Sequence, residues 1–335
     1  MNNFQPWLFR VASRPEVAGG HIRRCVTLSQ ALRDYAPSIF VLDKGGEAWL
    51  SKLRQLGFTA VIEGDEPDTE WAGSVLDGYD FGANYAKQLS QLAAPLVVID
   101  DFLAPLSGAH LAINPAPGLE GSDIDGVPAL LGSRYALVDE RFSRPPPPVC
   151  ERVTRVLITF GIRDGTNATC LALEAFADRP NDSTIPHISV LLGPNAPYLS
   201  MVRKAALPLR DRCNLIIDTD DMIGLLRHTD LVIGAGGVSL LERMASGVPS
   251  ITVPVSDNQE HAAHGAARCG GTLGTQRRDR LTASELSRYI EVLSSDFDAR
   301  KSMSEKARSM VDGRGAARVA NVMLRLSTSS QNALQ

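Results

Sequence analysis

The sequence predicts an α/β protein made of two doubly wound domains whose parallel sheets face a central cleft. Short apolar runs alternate with amphipathic stretches of helical spacing, which is the order expected of parallel strands flanked by helices. The alternation occurs twice along 335 residues, and this length suits two domains. Four consecutive prolines, 145–148, separate the two series.

The predicted elements follow that alternation through both domains. In the first domain, strands are predicted at 7–12, 38–42, 59–62 and 96–100, with helices at 22–34, 46–56 and 81–93. In the second domain, strands are predicted at 155–160, 187–192, 214–217, 230–234 and 249–255. Its helices are predicted at 168–177, 197–206, 221–227, 238–246, 260–268, 282–295 and 298–311.

The prolines set the predicted domain boundaries. They cannot continue a helix or a central strand, so the segment 144–150 is predicted to be a stiff hinge. The first domain is then expected to span 1–143 and the second 151–325. The polar tail 326–335 is expected to be flexible.

Composition excludes several classes of protein. With 44% hydrophobic and 21% charged residues and a net charge of −4, the chain is typical of a soluble protein with neither a nucleic-acid nor a membrane partner. No apolar run approaches the ~18 residues of a membrane span, and we see no signal peptide. Five scattered cysteines favour a reducing, cytoplasmic location without disulfides, each as a small buried hydrophobe. The oligomeric state stays open, a monomer included.

A glycine-rich turn in the second domain is a candidate phosphate site. The segment GAGGVS, 234–239, leads from a predicted strand into a helix. Glycines let the backbone approach an anion, and the amide groups at a helix amino terminus attract it. Glu242, one helical turn later, is a candidate acceptor for ribose hydroxyls. A tight turn followed by a solvated glutamate explains the same residues equally well.

Two further segments of the second domain carry polar side chains after strands. Asn258 and Gln259 both donate and accept hydrogen bonds and suit sugar hydroxyls, although helix caps explain them as well. The loop 159–167, TFGIRDGTN, is either a binding loop or a turn with a cap. His261 and His264 lack a third ligand nearby, so no metal site is expected.

A histidine at a strand-to-helix turn is the candidate catalytic residue of the first domain. Gly19 and Gly20 place His21 at the start of the helix. A neutral histidine is a common general base, and the helix dipole disfavours its charged form there. A packing or capping histidine is the alternative. Asp100 and Asp101, after the strand at 96–100, either orient the histidine, bind sugar hydroxyls or form a turn.

Six segments together resemble a known family. They read AGGHIRRCVTLSQAL, VVIDDF, AINPAPG, LLGSRYALVDERF, LITFGIRDGTN and LVIGAGGVSLLERMASGVPSITVPVSDNQ. In this order and spacing, over roughly residues 7 to 270, they resemble the UDP-2,4-diacetamido-2,4,6-trideoxy-β-L-altropyranose hydrolases of the pseudaminic acid pathway. That family shares the GT-B fold, two Rossmann-like domains, with MurG, a glycosyltransferase of peptidoglycan synthesis.

The resemblance implies hydrolysis of a UDP-linked deoxy-amino sugar to UDP and the free sugar, with His21 as the base that activates water. It implies neither a metal nor a cofactor. The nucleotide contacts implied are Gly161, Gly236, Gly237, Val238, Ser239 and Glu242. The sugar contacts implied are Gly20, Arg24, Asp101, Asn258 and Gln259.

The chain departs from the family pattern around the expected sugar pocket. Ala12 replaces an aspartate, Ala18 and Ile162 replace glycines, and Phe102 replaces a tyrosine. Two other functions therefore stay open. One is a MurG-like glycosyltransferase that uses a UDP-sugar donor, although the acidic second half of 46–80 disfavours a membrane-bound acceptor. The other is an inactive UDP-sugar-binding homologue, against which the presence of His21 argues.

Overall fold

The computed structural model describes residues 5–14, 17, 19–104, 108–177 and 186–333. Two compact units make up the chain. One comprises Met1–Asp139 together with Arg314–Gln335, and the other comprises Glu140–Gly313. Ala18 and the tail residues 334 and 335 lie outside the described residues.

The described part of the first unit contains an eight-stranded sheet covered by helices. Its strands are β1 (Trp7–Val11), β2 (Ser38–Leu42), β3 (Thr59–Ile62), β4 (Gly73–Asp77), β5 (Leu96–Ile99), β6 (Leu111–Asn114), β7 (Asp123–Ile124) and β8 (Val127–Leu131). Its helices are α1 (Gly20–Leu32), α2 (Glu47–Gln55), α3 (Ala83–Leu92) and α11 (Gly315–Ala333). The strand order is β3-β2-β1-β4-β5-β6-β8-β7, and all pairs are parallel except β7 with β8.

The described part of the second unit contains a six-stranded sheet. Its strands are β9 (Arg155–Thr159), β10 (His187–Leu192), β11 (Cys213–Ile217), β12 (Leu231–Gly234), β13 (Ser250–Thr252) and β14 (Leu273–Gly274). Its helices are α4 (Ala168–Ala177), α5 (Leu199–Ala206), α6 (Met222–Arg227), α7 (Val238–Ser246), α8 (Asp257–Arg268), α9 (Ala283–Ser295) and α10 (Phe297–Met310). The order is β11-β10-β9-β12-β13-β14 and every pair is parallel.

The predicted α/β class with two parallel-sheet domains is confirmed. The predicted strands that pair at the centre of each sheet are present, because their apolar residues fill the cores on both faces of the sheets. The strands β4, β6, β7, β8 and β14 lie outside the predicted ones. Two of them, β7 and β14, have only two residues, and the other three contain glycine, serine, aspartate, asparagine or proline, which weakens their apolar signal. The expected cleft stays a prediction.

The carboxyl-terminal helix corrects the predicted boundaries. Residues 315–325 were assigned to the second domain and 326–335 to a flexible tail, yet α11 runs to Ala333 and belongs to the first unit. Ala316, Val319, Ala320 and Met323 are buried in the first unit's core. Their spacing of three and four residues puts them on one face of the helix, and α1 is among the elements they pack against.

The proline-rich segment 144–150 is part of the second unit rather than a separate connector. Arg227 Nη1 donates to Pro145 O at 3.0 Å, and Arg300 Nη2 donates to Cys150 O at 3.0 Å. The first predicted boundary, at residue 143, accordingly falls at Asp139 and Glu140 in the structure.

We expect Gly315→Ala to destabilise the protein by about 1–3 kcal/mol, because a Cβ at this position would overlap the backbone of Ala136. Denaturant unfolding measures the effect. The control is Gly82→Ala in the same unit, where a Cβ meets no atom within 4 Å. Equal stability of the two variants would contradict the packing of α11 against this segment.

Candidate functional site

The topology of the first unit brings two loops together at one end of its sheet. Strands β1 and β4 are neighbours, and Val11 pairs with Asp77 at their carboxyl ends. From β1 the chain proceeds outward to β2 and β3, and from β4 it proceeds to β5 on the other side. Such a reversal of strand order opens a crevice at the carboxyl ends of the strands. The loop that precedes α1 and the loop that follows β4 both start there.

A histidine–carboxylate pair occupies this position. His21, the second residue of α1, is buried, and its Nδ1 lies 2.6 Å from Oδ1 of Asp77, which is fully buried. Because an ionised carboxylate only accepts hydrogen bonds, we assign the Nδ1 proton to this contact. The other ring nitrogen, Nε2, then carries the lone pair. The arrangement is that of a histidine base oriented by a carboxylate.

Two more residues of α1 donate to the same carboxylate. Arg24 donates through Nε to Oδ2 of Asp77 at 2.7 Å and through Nη2 to Oδ1 at 2.6 Å. Cys25 Sγ lies 3.4 Å from Oδ2. His21, Arg24 and Cys25 stand three and four residues apart and therefore share one helix face. The motif G-H-x-x-R-C thus presents three donors to one buried carboxylate.

The surrounding charges keep Asp77 ionised and the Cys25 thiol protonated. Burial would raise the pKa of Asp77, but the charge of Arg24 and the hydrogen bonds from Arg24 and His21 outweigh burial and hold that pKa far below its ordinary value. Burial, reinforced by the Asp77 charge, raises the pKa of Cys25 well above its ordinary value. Cys25 is therefore a thiol donor to Asp77 in addition to being the buried apolar residue that we expected.

An aromatic pair lies beside the histidine. The Tyr79 ring meets the His21 ring edge-on with centroids 4.6 Å apart, and Phe102 meets Tyr79 edge-on at 5.1 Å. Tyr79 is 47% exposed and Phe102 is 53% exposed. The Tyr79 hydroxyl donates to Asp101 Oδ2 at 2.5 Å, and Asp101 also accepts from Arg24 Nη1 at 2.8 Å. Each ring therefore has an outer surface open to a ligand.

The structure corrects two expectations for this end of the sheet. Asp77, rather than Asp100 or Asp101, orients His21. Asp100 holds a turn instead, because its carboxylate accepts from the amides of Phe102 and Ala104, both at 3.1 Å. Arg24, expected to contact the sugar, is buried and directs its donors to Asp77 and Asp101.

Sequence reasoning missed Asp77 and Tyr79. The segment SVLDGY contained the signal, because its short apolar run ends in an aspartate, as the predicted strand LVVID does. Gly20 is the first residue of α1, and the sugar-binding roles of Gly20 and Asp101 stay predictions.

The glycine-rich turn of the second unit lies at an equivalent reversal of strand order. Strands β9 and β12 are neighbours, and Thr159 pairs with Gly234 at their carboxyl ends. The turn Ala235–Gly237 leads into α7, and no side chain caps that helix at Gly237. The first amide groups of α7 therefore lack a side-chain acceptor. Gly247 ends α7 in the left-handed conformation, with φ 68°.

Gln259 of α8 stabilises the glycine-rich turn through hydrogen bonds to the backbone. Its Oε1 accepts from the amides of Gly236 at 3.0 Å and Val255 at 3.2 Å. A Cβ at Gly236 would lie 3.0 Å from the Gln259 carbonyl oxygen. The side-chain carbonyl of Gln259 thus holds the turn, whereas a sugar contact through its amide group stays a prediction. Asn258 Oδ1 accepts from Ser256 Oγ at 2.5 Å at the start of α8.

The loop 159–167 contains a helix cap. Both carboxylate oxygens of Asp164 accept backbone amides at the start of α4, from Ala168 and Thr169, at 2.9 Å each. Gly161 has φ 88°, and a Cβ there would meet no atom within 4 Å, so its surface is open. Glu242 is half-buried on α7. The nucleotide-binding roles of Gly161, Val238, Ser239 and Glu242 stay predictions.

No group of three or more histidine, cysteine, aspartate or glutamate side chains is arranged to hold a metal ion within the described ranges. His261 and His264 are both exposed on α8.

The fold of this chain is similar to that of a solved MurG structure. No protein-family model matches the chain. The crystal structure of Acinetobacter baumannii MurG superposes with a TM-score of 0.67 at 13% identity, covering 96% of this chain and 99% of MurG. At that identity the likeness shows the fold, and the fold is GT-B.

Curated relatives add sequence similarity. An uncharacterized protein of Methanocaldococcus jannaschii is 23% identical over 265 residues, covering 71% of this chain and 53% of that protein. The spore coat polysaccharide biosynthesis protein SpsG of Bacillus subtilis is 27% identical over 168 residues, covering 50% of this chain and 49% of SpsG. The chain therefore spans about half the length of these two relatives.

The similarity to a third relative is greater. The UDP-N-acetylglucosamine–N-acetylmuramyl-(pentapeptide) pyrophosphoryl-undecaprenol N-acetylglucosamine transferase of Methylibium petroleiphilum is 30% identical over 257 residues, covering 71% of this chain and 67% of the transferase. The chain belongs to the MurG-like family of GT-B glycosyltransferases. Within the described residues of this MurG-like chain, no helix combines the length and apolar character needed to cross a membrane.

We expect Asp77→Asn to lower the free energy of unfolding of the MurG-like chain at neutral pH by about 3 kcal/mol, because it leaves Arg24 and His21 without their buried counter-charge. The lowered pKa of Asp77 means that its contribution is present above the unfolded pKa of ~3.9 and is lost as pH falls below that value. The variant should therefore lose less stability than the wild type on acidification.

Urea unfolding at neutral pH and at a series of pH values below the unfolded carboxylate pKa measures both effects. The matched control is Asp101→Asn, which removes a carboxylate that also contacts Arg24 but is 20% exposed in its side chain and does not contact His21. A larger loss in Asp101→Asn than in Asp77→Asn would contradict the central role of Asp77.

Proposed function

We propose that the protein transfers a sugar from a UDP-sugar to a hydroxyl group of an acceptor. In this proposal the first unit supplies the general base and the second unit binds the nucleotide. The buried His21–Asp77 pair is the observation that carries the proposal, because a carboxylate that orients a histidine ring is the arrangement of a general base. Membership of the MurG-like family supports transfer over hydrolysis, and the similar transferase of Methylibium is a named sugar transferase.

His21 activates the acceptor hydroxyl. Its Nδ1 donates to Asp77, so Nε2 accepts the hydroxyl proton as the oxygen attacks the anomeric carbon of the donor sugar. Asp77 stabilises the imidazolium that forms, and Arg24 and Cys25 hold the carboxylate in place. The proton that His21 takes up is balanced by the negative charge that develops on the departing UDP.

The amino terminus of α7 stabilises that departing group. The amides at Gly237, Val238 and Ser239 begin a helix that no side chain caps. Their partial positive charge favours the diphosphate, and most strongly so when negative charge increases on bond breaking. Glu242 accepts from the ribose hydroxyls in this proposal.

The aromatic pair favours an acceptor larger than water. Tyr79 lies next to the His21 ring and Phe102 lies next to Tyr79, and both rings are about half exposed. Such aromatic surfaces bind apolar faces of ligands. We infer that the acceptor places such a face on these rings while it presents a hydroxyl to His21.

Hydrolysis of a UDP-sugar is the second candidate. The segments AGGHIRRC and SDNQ, which resemble the UDP-sugar hydrolases of the pseudaminic acid pathway, favour it. The same base activates water without any change in geometry. The two functions differ in one respect that can be measured, namely whether UDP release requires an acceptor.

We expect His21→Gln to reduce turnover by about 10²- to 10⁴-fold, the usual contribution of a general base, while the affinity for UDP changes little. UDP release measures turnover, and calorimetry measures affinity. The matched control is His187→Gln, since His187 is exposed at the start of β10 in the second unit. If His21→Gln keeps most of the wild-type rate, His21 is structural.

A second experiment separates transfer from hydrolysis by measuring UDP release from several UDP-sugar donors. These donors include UDP-N-acetylglucosamine and UDP-2,4-diacetamido-2,4,6-trideoxy-β-L-altropyranose, and each is tested with and without a panel of sugar acceptors. We expect wild-type UDP release to depend on the acceptor. Rapid release in buffer alone, lost in His21→Gln, would instead establish hydrolysis.

We expect Phe102→Ala to raise the KM for the acceptor by roughly tenfold, because the loss of one stacking surface removes about 1.4 kcal/mol of binding, with unchanged UDP affinity. The control is Tyr35→Ala, an aromatic side chain of the same unit with the same exposure of 53%. An unchanged acceptor KM in Phe102→Ala would exclude the aromatic pair from acceptor binding.

A further inference from the structure

A fully buried arginine lies directly beneath the glycine-rich turn of the second unit. Arg243 of α7 is 1% exposed. Long helical side chains lean toward the amino terminus of their helix, and its guanidinium reaches back to the turn. Nη2 donates to Ala235 O at 2.8 Å and to Thr252 Oγ1 at 3.0 Å, and Nη1 donates to Ser239 Oγ at 3.2 Å. Gly234 leaves the space that the guanidinium fills, because a Cβ there would lie 2.9 Å from Nη1.

The charge of Arg243 is poorly compensated. None of the ion pairs among the described residues involves Arg243, and its Nε is buried without a hydrogen-bond partner. The guanidinium also lies beside the amino terminus of α7, where the helix dipole has the same sign. Burial lowers the pKa of Arg243 to about 10, although the charge of Glu242 raises it, so the side chain is charged at neutral pH.

A second buried arginine of the same unit, Arg300, differs from Arg243 in how the fold compensates its charge. Arg300 is also 1% exposed and also has an unpaired Nε. Its guanidinium, however, donates to four carbonyl oxygens, of Leu293, Ser294, Cys150 and Glu151. Two of these belong to the carboxyl end of α9, where the dipole attracts a cation. Arg300 is therefore compensated within the fold, whereas Arg243 is not.

We propose that Arg243 is a positioning residue that makes the Ala235–Ser239 turn selective for a diphosphate. This inference rests on the proposed function, since the diphosphate is that of the UDP-sugar. The bound anion supplies the negative charge that Arg243 lacks in the free protein. Because Ser239 Oγ accepts from Arg243, its own hydroxyl proton is directed elsewhere and donates to a phosphate oxygen.

The experiment compares Arg243→Met with Arg300→Met and the wild type, using UDP, uridine and inorganic pyrophosphate as probes in calorimetry. We expect Arg243→Met to lose at least tenfold in affinity for UDP and for pyrophosphate, with uridine affinity within about twofold of wild type. Arg300→Met should keep the wild-type ratio of UDP to uridine affinity. Arg243→Lys, which keeps the charge but not the paired contacts, should lie between Arg243→Met and wild type.

Thermal unfolding without ligand separates this role from a structural one. A buried charge carries a desolvation penalty, and Arg243→Met removes that charge while keeping an extended side chain, so we expect this variant to unfold at or above the wild-type midpoint. A lower midpoint with an unchanged UDP-to-uridine ratio, or loss of cooperative unfolding in Arg243→Met alone, would assign Arg243 to folding and overturn the proposal.

Binding of UDP and pyrophosphate to the wild type distinguishes this inference from the proposed function. Binding of pyrophosphate without any preference for UDP, lost in Arg243→Met, would support the anion role and contradict the nucleotide role. UDP binding that is equal in wild type and Arg243→Met would overturn the inference and leave the proposed function intact. A wild type that binds neither probe overturns both.

Discussion

The charge of one buried carboxylate dictates the arrangement of the first unit's candidate site. Asp77 ends a central strand and is shielded completely from water, so it is tolerable only when donors surround it. Helix α1 supplies them from His21, Arg24 and Cys25. The same contacts that stabilise the carboxylate fix the histidine ring in one tautomer. Stability and chemistry here depend on a single set of hydrogen bonds.

In both units the candidate site residues lie where the strand order of the sheet reverses. In each sheet the strand order reverses between the first strand and the fourth, β1 and β4 in one unit and β9 and β12 in the other. The loops after those strands diverge and leave backbone and side-chain groups accessible. In the first unit this place holds a histidine that contacts a buried carboxylate, and in the second it holds an uncapped helix amino terminus. A base and an anion site are the two functions that transfer from a nucleotide-sugar requires.

Three buried arginines illustrate how the surroundings decide what a cation does. Arg24 is neutralised by the carboxylates of Asp77 and Asp101 and positions them. Arg300 is satisfied by the carbonyl oxygens at a helix carboxyl end and holds the chain together. Arg243 faces the positive end of a helix with one carbonyl and two hydroxyl acceptors. In our proposal, a bound diphosphate completes its charge balance.

The sequence by itself determined the fold class, the position of His21 at a helix start and the glycine-rich turn before Val238, because strand and helix periodicities and glycine turns are local signals. Only the tertiary structure decided which carboxylate meets His21. Asp77 ends one strand and Asp101 comes shortly after another, and sheet order, which depends on long-range pairing, brings Asp77 beside α1. The same holds for Arg24 and for α11, whose apolar face matches either unit in sequence and is assigned by packing alone.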